Sequence, residues 1–483
     1  MKEEIRKIIQ NQETYKWLVL LNVCFGEFIV AVDARIIAVS LPTIALALKT
    51  DLVTIQWTTI SYFLVLIGLT LFLGKLGDMI GRKYLYTGGF ALFTISSAFC
   101  GISASVGQLI FFRIVQAIGG ALIASNGQAI VASTFTSGDR GKALGFSSMS
   151  FHTGSLLGPS LGGFIIDSIG WRWMFYVNLP VGIAATIMAY FILREPVTKK
   201  VERHFDIPGA LLLIVTLVSF LFALNQGSNY GWSSPIIVGL LGLSAVSMGV
   251  FILVELKVTE PILYLNLFRV RAFTAANSSL LLITLAQGAV SFLLPFYLQG
   301  VLSYSATHVG LIIMWSSVAT VIFAPIGGRL SDRFVSRTLC TFGSFLIFVA
   351  QFLIGTLSQS STYVQIISYL ILSGIGWGLF NSPNNNAIFS SVPKERVGVA
   401  SGMLLTISNI GRSTGIALSG ALFAGILFQH NIKLTKGMDY SHWSLNPIPF
   451  VTAFQQSFLV AAGLSFLAIL FSAVRGKKMV SQK

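Results

Sequence analysis

The chain has 483 residues, of which 54% are hydrophobic and only 10% charged, with a mean hydropathy of +0.80. A soluble domain carries about 25% charged residues, so this composition describes an integral membrane protein and excludes a soluble enzyme, a nucleic-acid binder and a disordered scaffold. The net charge of +15 comes from basic residues spread between apolar runs, the pattern of the positive-inside rule, and not from one basic patch.

A spanning helix needs about 20 apolar residues. Taken in chain order, apolar runs predict six spans near residues 17–41, 53–73, 84–104, 108–133, 143–167 and 174–193. Two central runs follow at 208–225 and 235–255, with Tyr230 and Trp232 suited to an interfacial aromatic belt. Six more lie near 272–296, 306–326, 337–357, 363–389, 398–426 and 452–474, for fourteen in all. The first run follows Lys2, Arg6 and Lys7, but it is too long for a signal-peptide core and is read as an uncleaved span. Only Lys49, Arg172, Lys433 and Lys436 fall in one set of loops; apart from Arg35, Arg113 and Arg412, which lie inside spans, the other Lys and Arg fall in the opposite set. That asymmetry places both termini in the cytoplasm. Cys24, Cys100 and Cys340 lie in apolar runs, with neither metal spacing nor a disulfide framework.

The chain also repeats itself. Gly74-Lys-Leu-Gly-Asp78 follows the second span and Gly328-Arg-Leu-Ser-Asp332 the tenth, and at nearly equal offsets come Asp139-Arg140-Gly141 and Glu395-Arg396. Two matched pairs predict an all-α polytopic protein of two six-helix bundles, residues 1–200 and 263–483, joined by a two-helix insert over 201–262. Repeated halves are the ground plan of secondary transporters, with the site between them near the midplane.

These segments resemble the major facilitator superfamily, specifically its fourteen-span drug/proton antiporter branch, over nearly the whole chain. Gly74-Lys75-Leu76-Gly77-Asp78-Met79-Ile80-Gly81-Arg82-Lys83 is close to the family loop motif, with Met79 in place of a basic residue. Arg113-Ile-Val-Gln116-Ala-Ile-Gly119-Gly120 is a second element. Gly154-Ser-Leu-Leu-Gly158-Pro159-Ser-Leu-Gly162-Gly163 is similar to the antiporter motif G-x-x-x-G-P-x-x-G-G, which implies export. Trp171-Arg172-Trp173 with Phe175, Asn178 and Pro180 matches a stretch typical of the branch, whereas Val32-Asp33-Ala34-Arg35 departs from its usual L-D-x-T. The resemblance implies a major facilitator fold in a bacterial cytoplasmic membrane, working as a monomer on a small-molecule substrate with protons as coupling ions. It also implies a gating role for Gly74, Asp78, Gly81, Arg82, Arg140, Gly328, Asp332 and Arg396, with each aspartate meeting a helix start in the other half.

Charges inside spans cost about 2.5 to 3.5 kcal/mol at the bilayer centre and are usually paired or line a cavity. Here they are Glu27, Asp33, Arg35, Arg113 and Arg412. Asp33 and Arg35 point to opposite faces of one helix, and depth instead matches Asp33 with Arg113 as a proton switch, with Glu27 as the competing carrier. A structural ion pair is the alternative. The four glycines offer a groove for a neighbouring backbone, and Pro159 and Pro383 each remove a donor, Pro383 interrupting its span among asparagines. Arg35, Gln116, Asn126, His152, Gln287, Trp315, Trp377, Asn381, Asn385, Asn409 and Arg412 are the candidate cavity residues. No metal spacing, cofactor motif or Gly-x-x-x-x-Gly-Lys-[Ser/Thr] segment is present. The expected function is export of small amphipathic molecules or drugs against protons by alternating access. A dedicated exporter of one metabolite or organic anion, which Arg35 and Arg412 would suit, and a non-transporting membrane sensor are the alternatives.

Overall fold

The computed structural model describes residues 12–135, 139–194, 206–258, 261–333, 335–393, 396–429 and 447–475. The basic N-terminal segment, most of the loop at 427–451 and Glu395 lie outside them, as do the side chains of Asp78 and Asp332.

Local chemistry sets the helix ends. α1 (Gln12–Ala47) runs unbroken through Pro42, about a turn beyond the end that hydropathy marks. A one-turn helix follows, Leu52–Ile55, opened by the Asp51 carboxylate accepting from Thr54 N. α2 (Trp57–Ile80) ends at Gly81, whose φ of 122° excludes a side chain without strain. α3 (Arg82–Gly101) starts directly behind it, and α4 (Val106–Thr134) is opened by Ser105 accepting from Gln108 N. α5 (Arg140–Ile169) stops at Gly170, with φ 96°. The sixth predicted span divides into a turn at Trp173–Tyr176 and α6 (Asn178–Ile192).

The two central segments are α7 (Ile207–Tyr230) and α8 (Pro235–Glu255), both with a side-chain cap and proline in the first turn. α7 continues past Asn225, where sequence placed its end, and Trp232 packs on Gly227. The second half is α9 (Arg271–Phe296), α10 (Ala306–Arg333), α11 (Ser336–Ile354), α12 (Tyr363–Ser390), α13 (Val397–Gln429) and α14 (Ile448–Ala473). α9 continues into a π turn at Tyr297–Val301. Pro383 does not interrupt α12, which is helical on both sides of it, as membrane helices tolerate.

Among the described residues, twelve segments are long and apolar enough to cross a membrane. α3 and α5 are not among them: α3 starts with Arg82 and Lys83, and α5 is rich in Gly and Ser.

α1 packs on α5, α3 on α4 and α6, and α2 on α4; the second half repeats this, with α10 on α12, α9 on α13 and α11 on α12 and α14. α7 lies against α8, α13 and α2. The buried apolar residues fall in three main groups. One runs across both halves, from Val32, Ile36 and Leu41 of α1 and Ile60 of α2 to Leu294, Val309, Ile416 and Phe454. The other two stay within one half each: Val19, Tyr86, Phe90 and Val131 in the first, Phe273, Cys340, Phe380 and Met403 in the second. The halves therefore share one core at the end where α1 finishes and have separate cores at the other end.

Candidate functional site in the seam between the halves

At the shared end the halves are clasped. Gln299 Nε2 donates to Val39 O at 2.9 Å, and Thr43 Oγ1 lies 3.3 Å from Gln299 Oε1. The Asp167 carboxylate, at the end of α5, accepts from Ala306 N at 3.2 Å and Thr307 N at 2.7 Å, the free donors at the start of α10.

The glycine ladder of α5 is why the helices come so close. A Cβ on Gly154 would stand 2.6 Å from Phe28 O, one on Gly158 2.8 Å from Arg35 Cβ, and one on Gly162 2.4 Å from an Ile36 side-chain carbon. These three seat α5 on α1. Gly163 turns the other way: its Cβ would meet Ala306 O at 2.1 Å, and a Cβ on Gly310 would meet Pro159 O at 2.2 Å. At the opposite end of α5, Gly141 and Gly145 face open space.

Asp33 and Arg113 are brought together inside the first half. Arg113 Nη1 donates to Asp33 Oδ2 at 2.6 Å, with the two side chains 1% and 0% exposed. The other carboxylate oxygen accepts from Gln116 Nε2 at 2.9 Å and Asn178 Nδ2 at 3.1 Å. Gln116 Oε1 accepts in turn from Arg113 at 2.7 Å, Gln116 Nε2 also donates to Ser97, Arg113 Nε reaches Thr58 O, and the guanidinium lies 4.4 Å from the Tyr62 ring centre. The partners come from α1, α2, α3, α4 and α6, and the network satisfies both charges, which makes the pair tolerable at this depth.

Sequence reasoning matched Asp33 with Arg113 by depth but placed Gln116 in the substrate cavity; its amide is committed to Asp33. Asn178 it saw only as a family signature. Nothing local announces that contact, since 145 residues separate the partners. Asn126 is likewise not in the cavity. It is fully buried, donates to Leu122 O, and aims Oδ1 at Gly77.

Glu27 is half-buried on α1, with Gln128 of α4 as its hydrogen-bonding neighbour, whereas Asp33 is fully buried. Arg35 is exposed, although its own helix is buried on either side of it at Asp33 and Ile36. Its charge acts on His152 of α5 and on Arg412 of α13, from the other half. Among the described residues neither Arg35 nor Arg412 has a hydrogen-bond or ion-pair partner.

In the second half Gln287 sits 3.5 Å from Ser373 Oγ, and Asn381, Asn385, Asn409 and Trp377 are half-buried, while Trp315 is exposed. A residue that sequence reading passed over is Arg475, which folds back into this bundle and donates to Cys340, Ser279 and Asn384. It ties the end of α14 to α9, α11 and α12, and Asn384 is fully buried.

Of the residues assigned to gating, Arg82 donates to Ala129 O at 2.9 Å, Gly74 lies beside Ser125, Gly328 beside Ser382, Arg140 is exposed, and Arg396 lies over the Tyr264 ring. Each of these contacts stays within one half. A cavity of about 610 Å³ opens among Lys16, Arg82, Lys83, Asp139 and Arg194. It lies in the first half, away from Arg35 and Arg412, and its acidic and basic walls partly neutralise one another, as in the Lys16–Asp139 pair at 3.8 Å.

The model of the Major Facilitator Superfamily matches residues 23–416 and 278–480. The riboflavin transporter RibZ of Clostridioides difficile is 34% identical over 461 residues, covering 95% of this chain and 97% of that protein. The multidrug transporter MdtP of Bacillus subtilis is 32% identical over 86% of this chain and 76% of that protein. In structure, a bacterial homologue of the human lysosomal transporter Spinster, inward-facing and occupied, superposes with a TM-score of 0.70 at 16% identity, covering 95% of this chain and 97% of that one. The nucleoside transporter NupG gives 0.64 at 13% identity over 96% and 100%. With its repeated bundles, clasped at one end around intramembrane charges, the chain belongs to the major facilitator superfamily, a family of membrane transporters and not of enzymes.

Proposed function

We propose that this transporter is a proton-coupled antiporter that exports small amphipathic molecules from the cytoplasm by alternating access. The observation that carries the reading is the split of the buried apolar residues into one shared core at the clasped end and two separate cores at the other. Two halves joined that way can rock about a central site, exposing it to one side at a time. We take α3 and α5 as spans too, which gives fourteen, with residues 1–200 and 263–483 as the moving bundles and 201–262 as the insert. The loop charges then put both termini and the open end in the cytoplasm of a bacterial cell membrane. One chain is the transport unit, and a proton, with no further cofactor, is the coupling ion.

Relatives named for riboflavin and for multidrug transport support an aromatic, amphipathic cargo. Exchange requires a carboxyl whose protonation is traded against substrate. Asp33 releases Arg113 when protonated, and Glu27, half-buried two turns towards the other end of α1, is the competing carboxyl. A dedicated exporter of one organic anion is the second reading, favoured by Arg35 and Arg412.

The test uses proteoliposomes with an acidic lumen and a trapped pH dye, to which lipophilic cations, neutral drugs and organic anions are added. Wild type should release luminal protons with at least one class, and Glu27→Gln or Asp33→Asn should silence that response. A response that persists in both variants contradicts the coupling assigned here.

A further inference from the structure

We infer that Arg35 and Arg412 form a two-arginine site, at the head of the cleft, for the carboxylate or phosphate group of the transported molecule; this rests on the transport reading above. Arg35 stands one turn before Val39, where the clasp to Gln299 begins. Arg412 stands two turns before Gly420, where α13 closes on Gln56, the residue that precedes α2. Both therefore lie just inside the sealed end, one from each half. Arg35 faces Arg412 and His152, two like charges would repel there, and Asp167, the acid of α5, is taken up by Ala306 N and Thr307 N at the start of α10. Asp33, two residues before Arg35 and on the opposite face of α1, is saturated by Arg113, Gln116 and Asn178. Glu27 lies two turns down the helix, towards the open end.

The protein thus holds two unpaired guanidiniums in the membrane, a cost it pays at no other described position in the seam. A guanidinium presents a planar fork of donors that matches carboxylate and phosphate oxygens in pairs. An anionic group between the two would remove their repulsion and tie the halves together at the head of the cleft. A lipophilic cation would add to the repulsion. The body of the ligand would then extend towards Glu27 and the open end.

Three ligands with one ring system isolate the charge: naphthoate, naphthamide and naphthylmethylammonium, titrated calorimetrically into the full chain in lipid nanodiscs. Naphthoate should bind about tenfold or more tightly than either of the others, which is about 1.4 kcal/mol. The Arg35→Gln/Arg412→Gln double variant should lose that preference, and Arg412→Lys, which keeps the charge, should retain part of it. Equal or weaker binding of naphthoate, binding of none of the three, or a preference that survives in the double variant would overturn the site. Transport of the same compounds in proteoliposomes separates the two readings. Selective binding without movement across the membrane defeats the transport reading and leaves the site standing, whereas movement without charge preference does the reverse.

Discussion

Asp33 and Arg113 carry the sharpest consequence of any pair in the chain. With no water to relieve it, a guanidinium left alone at this depth costs about 3–5 kcal/mol, so Asp33→Ala should lower the thermal unfolding temperature markedly. The Asp33→Ala/Arg113→Met double variant, which removes both charges, should recover most of that loss when measured in the same detergent. If the double variant is as unstable as the single one, the network acts through shape and not through charge. Gly163 is a second residue with no freedom: Gly163→Ala puts a methyl group against Ala306 O, so the clasped end cannot form. Substrate turnover should fall by an order of magnitude or more while the chain stays folded, and unchanged turnover would show that the halves never approach this closely in the working cycle.

At the scale of elements, the contact of α5 with α10 works as a latch. The Asp167 carboxylate on the start of α10 is exposed, so its interaction with the helix end contributes about 0.5–1 kcal/mol. Asp167→Asn should therefore shift the balance between the two open states about two- to fivefold away from the one described here, read as cysteine reactivity at the clasped end. No change in reactivity would make it an ordinary surface cap. The order of the elements was readable from hydropathy because each helix needs its own apolar run, and the glycine ladder announced a close approach. Other features were not readable. α7 outlasts Asn225 because that side chain is bonded to Gln56 and Trp57 and need not face lipid. α12 continues through Pro383, since a proline inside a membrane helix costs one donor without ending the helix. The Gln116, Asn178 and Arg475 contacts join residues far apart in the chain, where neither spacing nor propensity carries a signal.

For the whole molecule, the distribution of apolar burial is the functional statement. On the alternating-access reading, the core shared by both halves is the closed end and the two separate cores are the bodies that move, so that the same chain reverses which end is closed. The charges fit that reading: Asp33 and Arg113 are buried within one half, Glu27 is half-buried towards the other end of α1, and Arg35 and Arg412 come from opposite halves just inside the shared core. The most direct measurement is a pair of spin-label distances in a variant lacking Cys24, Cys100 and Cys340, reconstituted in nanodiscs. One pair, Leu46 with Val364, spans the clasped end; the other, Tyr84 with Val335, spans the open end, and all four positions are exposed. Acidification or substrate should lengthen the first distance as it shortens the second. If both distances stay fixed, or move in the same direction, under every condition, alternating access is not how this protein works.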